Sequence, residues 1–293
     1  MLRPAQMQGH AAMLLFAALV SGSFSLGGFA ARLVDSGALM TLRFLLAGVL
    51  IGAIVAIGPG IKREDLTAPW RYFVIGGLFA IYFVFMFKGL ITADPLATAA
   101  VFTLTPFMSA GFGWILLRQI TTLRMGVALL IGGFGALWVI FRADISALLE
   151  FDIGHGEFLF FLGCISHAAL TPMSRKLNRG ESPLVFTMGM LLAGFLLLLA
   201  YSASDIIQTD WLSLPLILWV VLAYLVIFAS AITFFLLQFS TLRLPSAKVM
   251  AYTYLVPAFV VIWEGLLGHG WPDAAILIGM GLIVLALILL LKD

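Results

Sequence analysis

Long apolar segments, each separated from the next by a short polar connection, fill almost the whole chain of 293 residues. A helix needs roughly 20 apolar residues to cross a hydrocarbon core of about 30 Å. The pattern predicts ten such helices: 10–32, 37–57, 69–91, 95–117, 122–142, 157–177, 183–203, 213–238, 245–267 and 272–291. Only short connections and tails remain, so the chain is predicted to be an all-α integral membrane protein without a separate soluble domain.

Composition agrees with this fold class and excludes several others. The chain is 63% hydrophobic and 10% charged, with a mean hydropathy of +1.15. Its formal net charge is only +2, and it lacks the basic patch that nucleic-acid binding requires. The single cysteine, Cys164, cannot form an intramolecular disulfide. We therefore expect the lipid bilayer and a small molecule as partners, with no metal, cofactor or nucleic acid; the oligomeric state is not determined.

Lysine and arginine are distributed unequally between the two sets of connections. If the N-terminus is cytoplasmic, the cytoplasmic segments hold twelve of the 16 basic residues: Arg3, Lys62, Arg63, Arg71, Arg118, Arg124, Arg175, Lys176, Arg179, Arg243, Lys248 and Lys292. The opposite segments hold Arg32, Lys88 and Arg142, and Arg43 lies inside the second span. Because cytoplasmic loops are enriched in Lys and Arg, both termini are predicted to be cytoplasmic, in a bacterial inner membrane.

Two segments of the chain repeat one pattern. A shift of 151 residues superposes Ala100 on Ala251, Leu104 on Leu255 and Pro106 on Pro257. Chance similarity between helices rich in Ala and Leu is the alternative. Each segment lies in the fourth helix of a five-helix set, and a duplicated odd set must insert with opposite orientation. We therefore expect two inverted five-helix repeats, 1–142 and 157–293, joined by an outward-facing connection, 143–156.

These features together resemble the drug/metabolite transporter superfamily, EamA type. The features are Arg43-Phe44 early in the second span, an Ala-x-x-Ala-type start and a mid-helix proline in spans four and nine, and the five-plus-five count. Within the superfamily, the chain is similar to YddG-type amino-acid exporters. The resemblance implies ten helices around a central cavity and the export of small metabolites, commonly amino acids. The chain departs from the family where an acidic residue usually follows spans four and nine, since Arg118 and His269 stand there.

Ionisable groups inside a bilayer are costly and are therefore candidates for function. Glu264 is a candidate to bind a proton, a cation or a substrate amino group; alternatively it is an interfacial carboxylate beside Trp263. Arg43 is a candidate to hold a substrate carboxylate; alternatively it snorkels to the outer interface or pairs with helix-end carbonyls. His167, near the centre of span six, is expected either to line the pathway or to pack by hydrogen bonding.

Polar aromatic and hydroxyl side chains also occur at central depth. The candidates for substrate binding, besides His167, are Tyr82, Thr103, Tyr252 and Tyr254. A tyrosine offers a flat apolar face and one polar group, which suits a partly apolar solute, although helix packing explains any one of them equally well. Pro106 and Pro257 each remove a backbone hydrogen bond and are predicted to shape the cavity or act as hinges.

The sequence thus predicts a secondary transporter that exports aromatic or other apolar amino acids by alternating access. The sequence contains neither a His-Glu-x-x-His motif nor a phosphate loop, either of which would indicate an enzyme. One alternative is a carrier of another metabolite class, such as drugs or nucleotide-sugars. Phosphorylated cargo would require several Lys or Arg residues at mid-membrane, and the sequence does not have them. The other alternative is a non-transporting membrane scaffold or receptor subunit.

Overall fold

The computed structural model of the protein describes residues 4–93, 95–141, 144, 146, 149–150, 154–271 and 274–291, and only the backbone of 95 and 96. Three basic residues of the predicted charge pattern, Arg3, Arg142 and Lys292, lie outside the described residues, as does half of the connection 143–156.

Ten long helices, numbered α1 to α10 in chain order, make up the described residues. They are α1 Pro4–Ala31, α2 Ser36–Ile57, α3 Trp70–Gly89, α4 in two pieces Pro95–Phe102 and Thr105–Leu117, α5 Leu123–Ile140, α6 His155–Leu177, α7 Pro183–Gln208, α8 Leu216–Thr241, α9 Ser246–Leu266 and α10 Ile276–Leu291. Nine are long and apolar enough to cross a membrane, and α10 is an apolar helix of 16 residues. The described residues contain no strand, and the predicted all-α membrane fold is confirmed.

Consecutive helices run in opposite directions, so the start of α1 and the end of α10 belong to the same side of the bundle. We call this side the terminal face and the other side the opposite face. The helix contacts obey a two-fold pattern. Three contacts pair equivalent helices of the two repeats: α2 with α7, α4 with α9 and α5 with α10. The contact of α3 with α6 is mirrored by α8 with α1, and that of α4 with α6 by α9 with α1. This is the arrangement of two inverted repeats.

The two helices with matched prolines are interrupted at matched places. Helix α4 is interrupted at Thr103 and Leu104, and α9 contains a tight 3-10 turn, Tyr252–Leu255. Pro106 and Pro257 follow immediately, in the first turn of the next helical piece. Because proline lacks an N–H and its ring clashes with the carbonyl four residues earlier, an α-helix cannot continue unchanged through it.

The two repeats approach each other closely where α3 crosses α7. A Cβ on Gly76 of α3 would lie within 2.6 Å of the Gly194 backbone nitrogen of α7, and it would also collide with the Met190 carbonyl oxygen. Glycine lets two membrane helices pack backbone to backbone in this way. This contact fixes α3, which carries several residues of the candidate site, against the second repeat.

Candidate functional site

Aromatic rings from six helices meet in the middle of the bundle. This aromatic centre consists of Phe24 of α1, Phe44 of α2, Phe79, Tyr82 and Phe83 of α3, Phe102 of α4, Phe160 and His167 of α6, and Phe234 of α8. None of these residues is more than 2% exposed. Helix α3 contributes three of them because positions three and four apart lie on one face of a helix.

Tyr82 and His167 are neighbours within the aromatic centre. Their ring centroids are 4.3 Å apart, and His167 also lies 5.0 Å from the Phe102 ring. The Tyr82 Oη and His167 Nδ1 atoms are buried and have no hydrogen-bond partner among the described residues. A buried polar group without a hydrogen-bond partner lowers the free energy of unfolding by about 1–3 kcal/mol. The centre therefore combines apolar ring faces with two buried polar atoms whose hydrogen-bonding capacity is unused among the described residues.

The other predicted binding residues are placed differently. Thr103 is buried at the interruption of α4, and its hydroxyl donates to the Ala100 carbonyl oxygen at 2.6 Å, so it is already engaged. The Tyr252 hydroxyl lies 2.9 Å from His10 Nδ1 between α9 and α1. Tyr254 packs against Gly132 of α5, in a second apolar cluster away from the aromatic centre.

His10 is a residue that the sequence pattern did not single out. The pattern placed the start of the first span at residue 10, near an interface. The structure extends α1 back to Pro4, so His10 lies in the second turn of the helix and is only 6% exposed. The extra turn is polar enough to resemble a tail, so the apolar pattern alone does not place its histidine inside the bundle.

Arg43 is fully buried and turns inward. Its Nε atom donates to Ser230 Oγ and its Nη2 atom to the Ala229 carbonyl oxygen, both at 2.6 Å. The guanidinium also lies 4.2 Å from the centroid of the Phe83 ring. Snorkelling to the outer interface is therefore wrong for this arginine. Among the described residues no carboxylate pairs with it.

The acceptors of Arg43 lie in an irregular part of α8. Residues Ile227–Ile232 form a π-helical turn, which the sequence did not predict. Such turns occur frequently at functional sites. Here the turn exposes an acceptor carbonyl to an arginine from the other repeat.

Glu264 lies two residues before the end of α9, at the opposite face. Its carboxylate is 2.6 Å from His269 Nδ1, and the two side chains are 18% and 65% exposed. This pair is at the rim of the bundle, whereas Arg43 is inside it. No group of residues in the described part of the chain has the composition of a metal site.

A buried ion pair joins the two repeats at the terminal face. Arg71 Nη2 is 2.5 Å from Glu181 Oε1, and Arg71 Nη1 donates to the Leu177 carbonyl oxygen at 2.6 Å. The second Glu181 oxygen accepts the Arg179 backbone N–H at 2.6 Å. Burial raises the pKa of the Glu181 carboxyl, but the hydrogen bonds from Arg71 and the backbone outweigh burial and hold this pKa below its ordinary value.

Two five-helix repeats of opposite orientation, with the aromatic centre buried between them, are typical of a multi-pass membrane protein of the secondary-transporter class. The sequence model of the EamA-like transporter family matches residues 7–141 and 154–292, one stretch for each repeat. The chain belongs to this family. The predicted membership of the drug/metabolite transporter superfamily is thereby confirmed.

Similar proteins agree with this assignment. The chain is 22% identical over 253 residues to YyaM of Bacillus subtilis (strain 168), an uncharacterised transporter, and the match covers 85% of this chain and 83% of that one. A protein solved by crystallography superposes with a TM-score of 0.74 at 20% identity, covering 97% of this chain and 96% of the other. At that identity the superposition supports the fold alone.

Proposed function

We propose that the protein exports amino acids, preferentially aromatic or other apolar ones, from the cytoplasm across a bacterial inner membrane by alternating access. The observation that carries this proposal is the aromatic centre, where Tyr82 Oη and His167 Nδ1 are buried and have no hydrogen-bond partner in the described part of the chain. Ring faces suit an apolar side chain, and the two polar atoms suit the ammonium or carboxylate group of the cargo. The resemblance to YddG-type exporters points to the same cargo.

The roles of the candidate residues follow from their surroundings. Tyr82 and His167 would contact the cargo directly, and Thr103 and Tyr252 would border the site. Tyr254 is the weakest member of the set because its ring packs against Gly132. Pro106 and Pro257 would act as matched hinges, since each follows an interruption of its helix.

The two charged candidates would act at different stages of transport. Arg43 lies beside the Phe83 ring, and its guanidinium has N–H groups that do not donate to Ala229 or Ser230. These N–H groups would attract the cargo carboxylate towards the aromatic centre. Glu264, at the opposite face, would meet the cargo ammonium on release. The terminal face would be cytoplasmic, because it carries most of the Lys and Arg residues. The repeats 1–142 and 157–293 would rock against each other around the fixed site.

Transport by purified protein in liposomes tests the proposal. Vesicles are loaded with each of the twenty amino acids in turn and assayed for efflux, with and without a pH gradient. Efflux of phenylalanine or other apolar amino acids above that of protein-free vesicles is expected. Absence of efflux for all twenty would refute amino-acid export. Acceleration by an opposing proton gradient would identify proton exchange, and insensitivity to it would identify passive facilitation.

A further inference from the structure

Polar residues follow one line between α4 and α6, from the aromatic centre to the terminal face. His167, Thr171 and Arg175 are spaced by four on α6, and Thr105 and Ser109 are spaced by four on α4. Residues four apart lie on one face of a helix. The two lines meet where Ser109 Oγ lies 3.0 Å from Thr171 Oγ1, both fully buried. We call these five residues the polar seam.

The inverted repeat supplies an internal control for the polar seam. The same shift of 151 residues relates α6 to α1, and it places Phe16, Val20 and Phe24 at the positions of His167, Thr171 and Arg175. On α9, the positions of Thr105 and Ser109 are occupied by Val256 and Val260. These five residues are buried and apolar. Packing of the mirrored helices therefore does not require polar residues, and the polar seam needs another explanation.

A cavity of about 260 Å³ lies at the terminal-face end of the polar seam. We call it the mouth pocket, and its relevant lining residues are Ala110, Gln119, Thr121 and Arg175. Ala110 follows Ser109 in the chain, and Arg175 is the last residue of the polar seam. The mouth pocket and the polar seam therefore meet at Arg175.

Two polar side chains of the otherwise largely apolar mouth pocket can donate hydrogen bonds, Arg175 and Gln119. Arg175 Nη1 donates to the Leu244 carbonyl oxygen at 3.2 Å, and among the described residues no carboxylate pairs with this guanidinium. Gln119 Oε1 accepts the Ser246 backbone N–H at 3.1 Å, which turns its carbonyl oxygen away and leaves the amide NH2 to donate. A guanidinium beside an amide donor suits a carboxylate.

We propose that the mouth pocket is a peripheral binding site for the carboxylate of a free amino acid, and that the polar seam is the route from this site to the aromatic centre. The proposal rests on the proposed function. The guanidinium of Arg175 captures the carboxylate at the terminal face. The Ser109–Thr171 contact then separates, and the two hydroxyls hydrogen-bond the cargo as it passes towards His167.

Transport kinetics test the binding role of Arg175. With radiolabelled L-phenylalanine in liposomes, Arg175→Gln is expected to lower Vmax/KM about tenfold, mainly through KM, because one charge-assisted contact is lost. Arg175→Lys should recover part of the loss. The matched control is Lys176→Gln, which removes a positive charge from the adjacent position, outside the mouth pocket. Equal effects of Arg175→Gln and Lys176→Gln would overturn the site.

Thiol reactivity tests the route without any transport assay. Thr171→Cys is introduced into a Cys164→Ser protein, and impermeant methanethiosulfonates are added at the terminal face of detergent-free vesicles. The anionic sulfonate reagent is expected to react faster than the cationic trimethylammonium reagent, and Arg175→Gln should abolish that preference. Lack of reaction, or a preference that survives Arg175→Gln, would refute the route even if phenylalanine is transported. Conversely, absence of transport with the expected reactivity would refute only the proposed function.

Discussion

Tyr82 and His167 combine burial, mutual contact and unpaired polar atoms, and so they are the residues on which transport should depend most. Tyr82→Phe removes one hydroxyl and keeps the ring. We expect amino-acid flux to fall severalfold, whereas the free energy of unfolding should be unchanged or rise by up to about 1 kcal/mol, because an unsatisfied group is removed. His167→Ala should also lower flux without loss of folded protein.

Efflux rates and thermal melts of the same purified samples measure the two effects. Tyr201→Phe is the control, since Tyr201 is 57% exposed and its hydroxyl accepts from Lys88 near the opposite face. Wild-type flux in both Tyr82→Phe and His167→Ala would remove these residues from the site. A parallel fall in flux and stability would indicate a packing role instead.

Arg71 and Glu181 should stabilise the terminal face only as a pair. Glu181→Gln leaves a buried guanidinium without its counter-ion, and we expect a loss of about 3–5 kcal/mol in the free energy of unfolding. Replacing both residues by Met should restore much of that loss, since a buried ion pair is often no more stable than an apolar pair. Denaturant melts of the two single variants and the double variant measure the coupling.

The same pair gives a pH dependence of defined sign. Because the pKa of Glu181 is held below its ordinary value, its contribution to stability is present above the unfolded-state pKa, about 4.3 for Glu. It is lost as the pH falls through the lower folded-state pKa. The melting temperature of the wild type should therefore fall more steeply below about pH 4.3 than that of the double Met variant. Parallel curves would contradict this assignment.

For single residues, the sequence predicts the depth in the membrane better than it predicts which residue the side chain contacts. Tyr82 and His167 were expected at the middle of their spans, and they are buried together there. The inward turn of Arg43 depends on Ser230, which is 187 positions away in the chain. No local pattern contains that information, because the contact exists only after the two repeats have packed.

The contact of α3 with α7 should be sensitive to a single methyl group. Gly76→Ala would drive a Cβ into the backbone of α7, which cannot rotate away as a side chain can. We expect a loss of about 1–3 kcal/mol or more in the free energy of unfolding, together with reduced transport. Gly77→Ala is the matched control, because its Cβ would meet only the flexible Leu197 side chain at 3.3 Å. Similar melting temperatures for the two variants would refute a backbone-to-backbone contact.

Helix irregularities were predictable only where a residue type causes them. The interruptions of α4 and α9 precede Pro106 and Pro257, whose effect on a helix is local and known from the sequence alone. The π-helical turn of α8 contains no proline or glycine. It was not predicted because its residues, Ile227–Ile232, are equally compatible with an α-helix, and only the Arg43 contact distinguishes it.

At the scale of the whole molecule, the repeats share packing but not chemistry. The helix contacts are mirrored between the two halves, which the odd number of helices in each repeat predicts. The five polar residues of the seam between α4 and α6 correspond to five apolar residues between α9 and α1. If the protein is an exporter, as proposed, its two faces have different tasks, namely capture of cargo at one face and release at the other. Divergence of the two interfaces is expected from that difference.

The orientation of the molecule decides which task belongs to which face. Single cysteines in a Cys164→Ser protein report it: Arg179→Cys at the terminal face and Leu212→Cys at the opposite face, where Leu212 is 98% exposed. If the terminal face is cytoplasmic, as its excess of Lys and Arg predicts, an impermeant maleimide should label Leu212→Cys in intact cells and Arg179→Cys only in inverted vesicles. The reverse pattern would place the mouth pocket on the outer side, where it would serve uptake of amino acids and not their export.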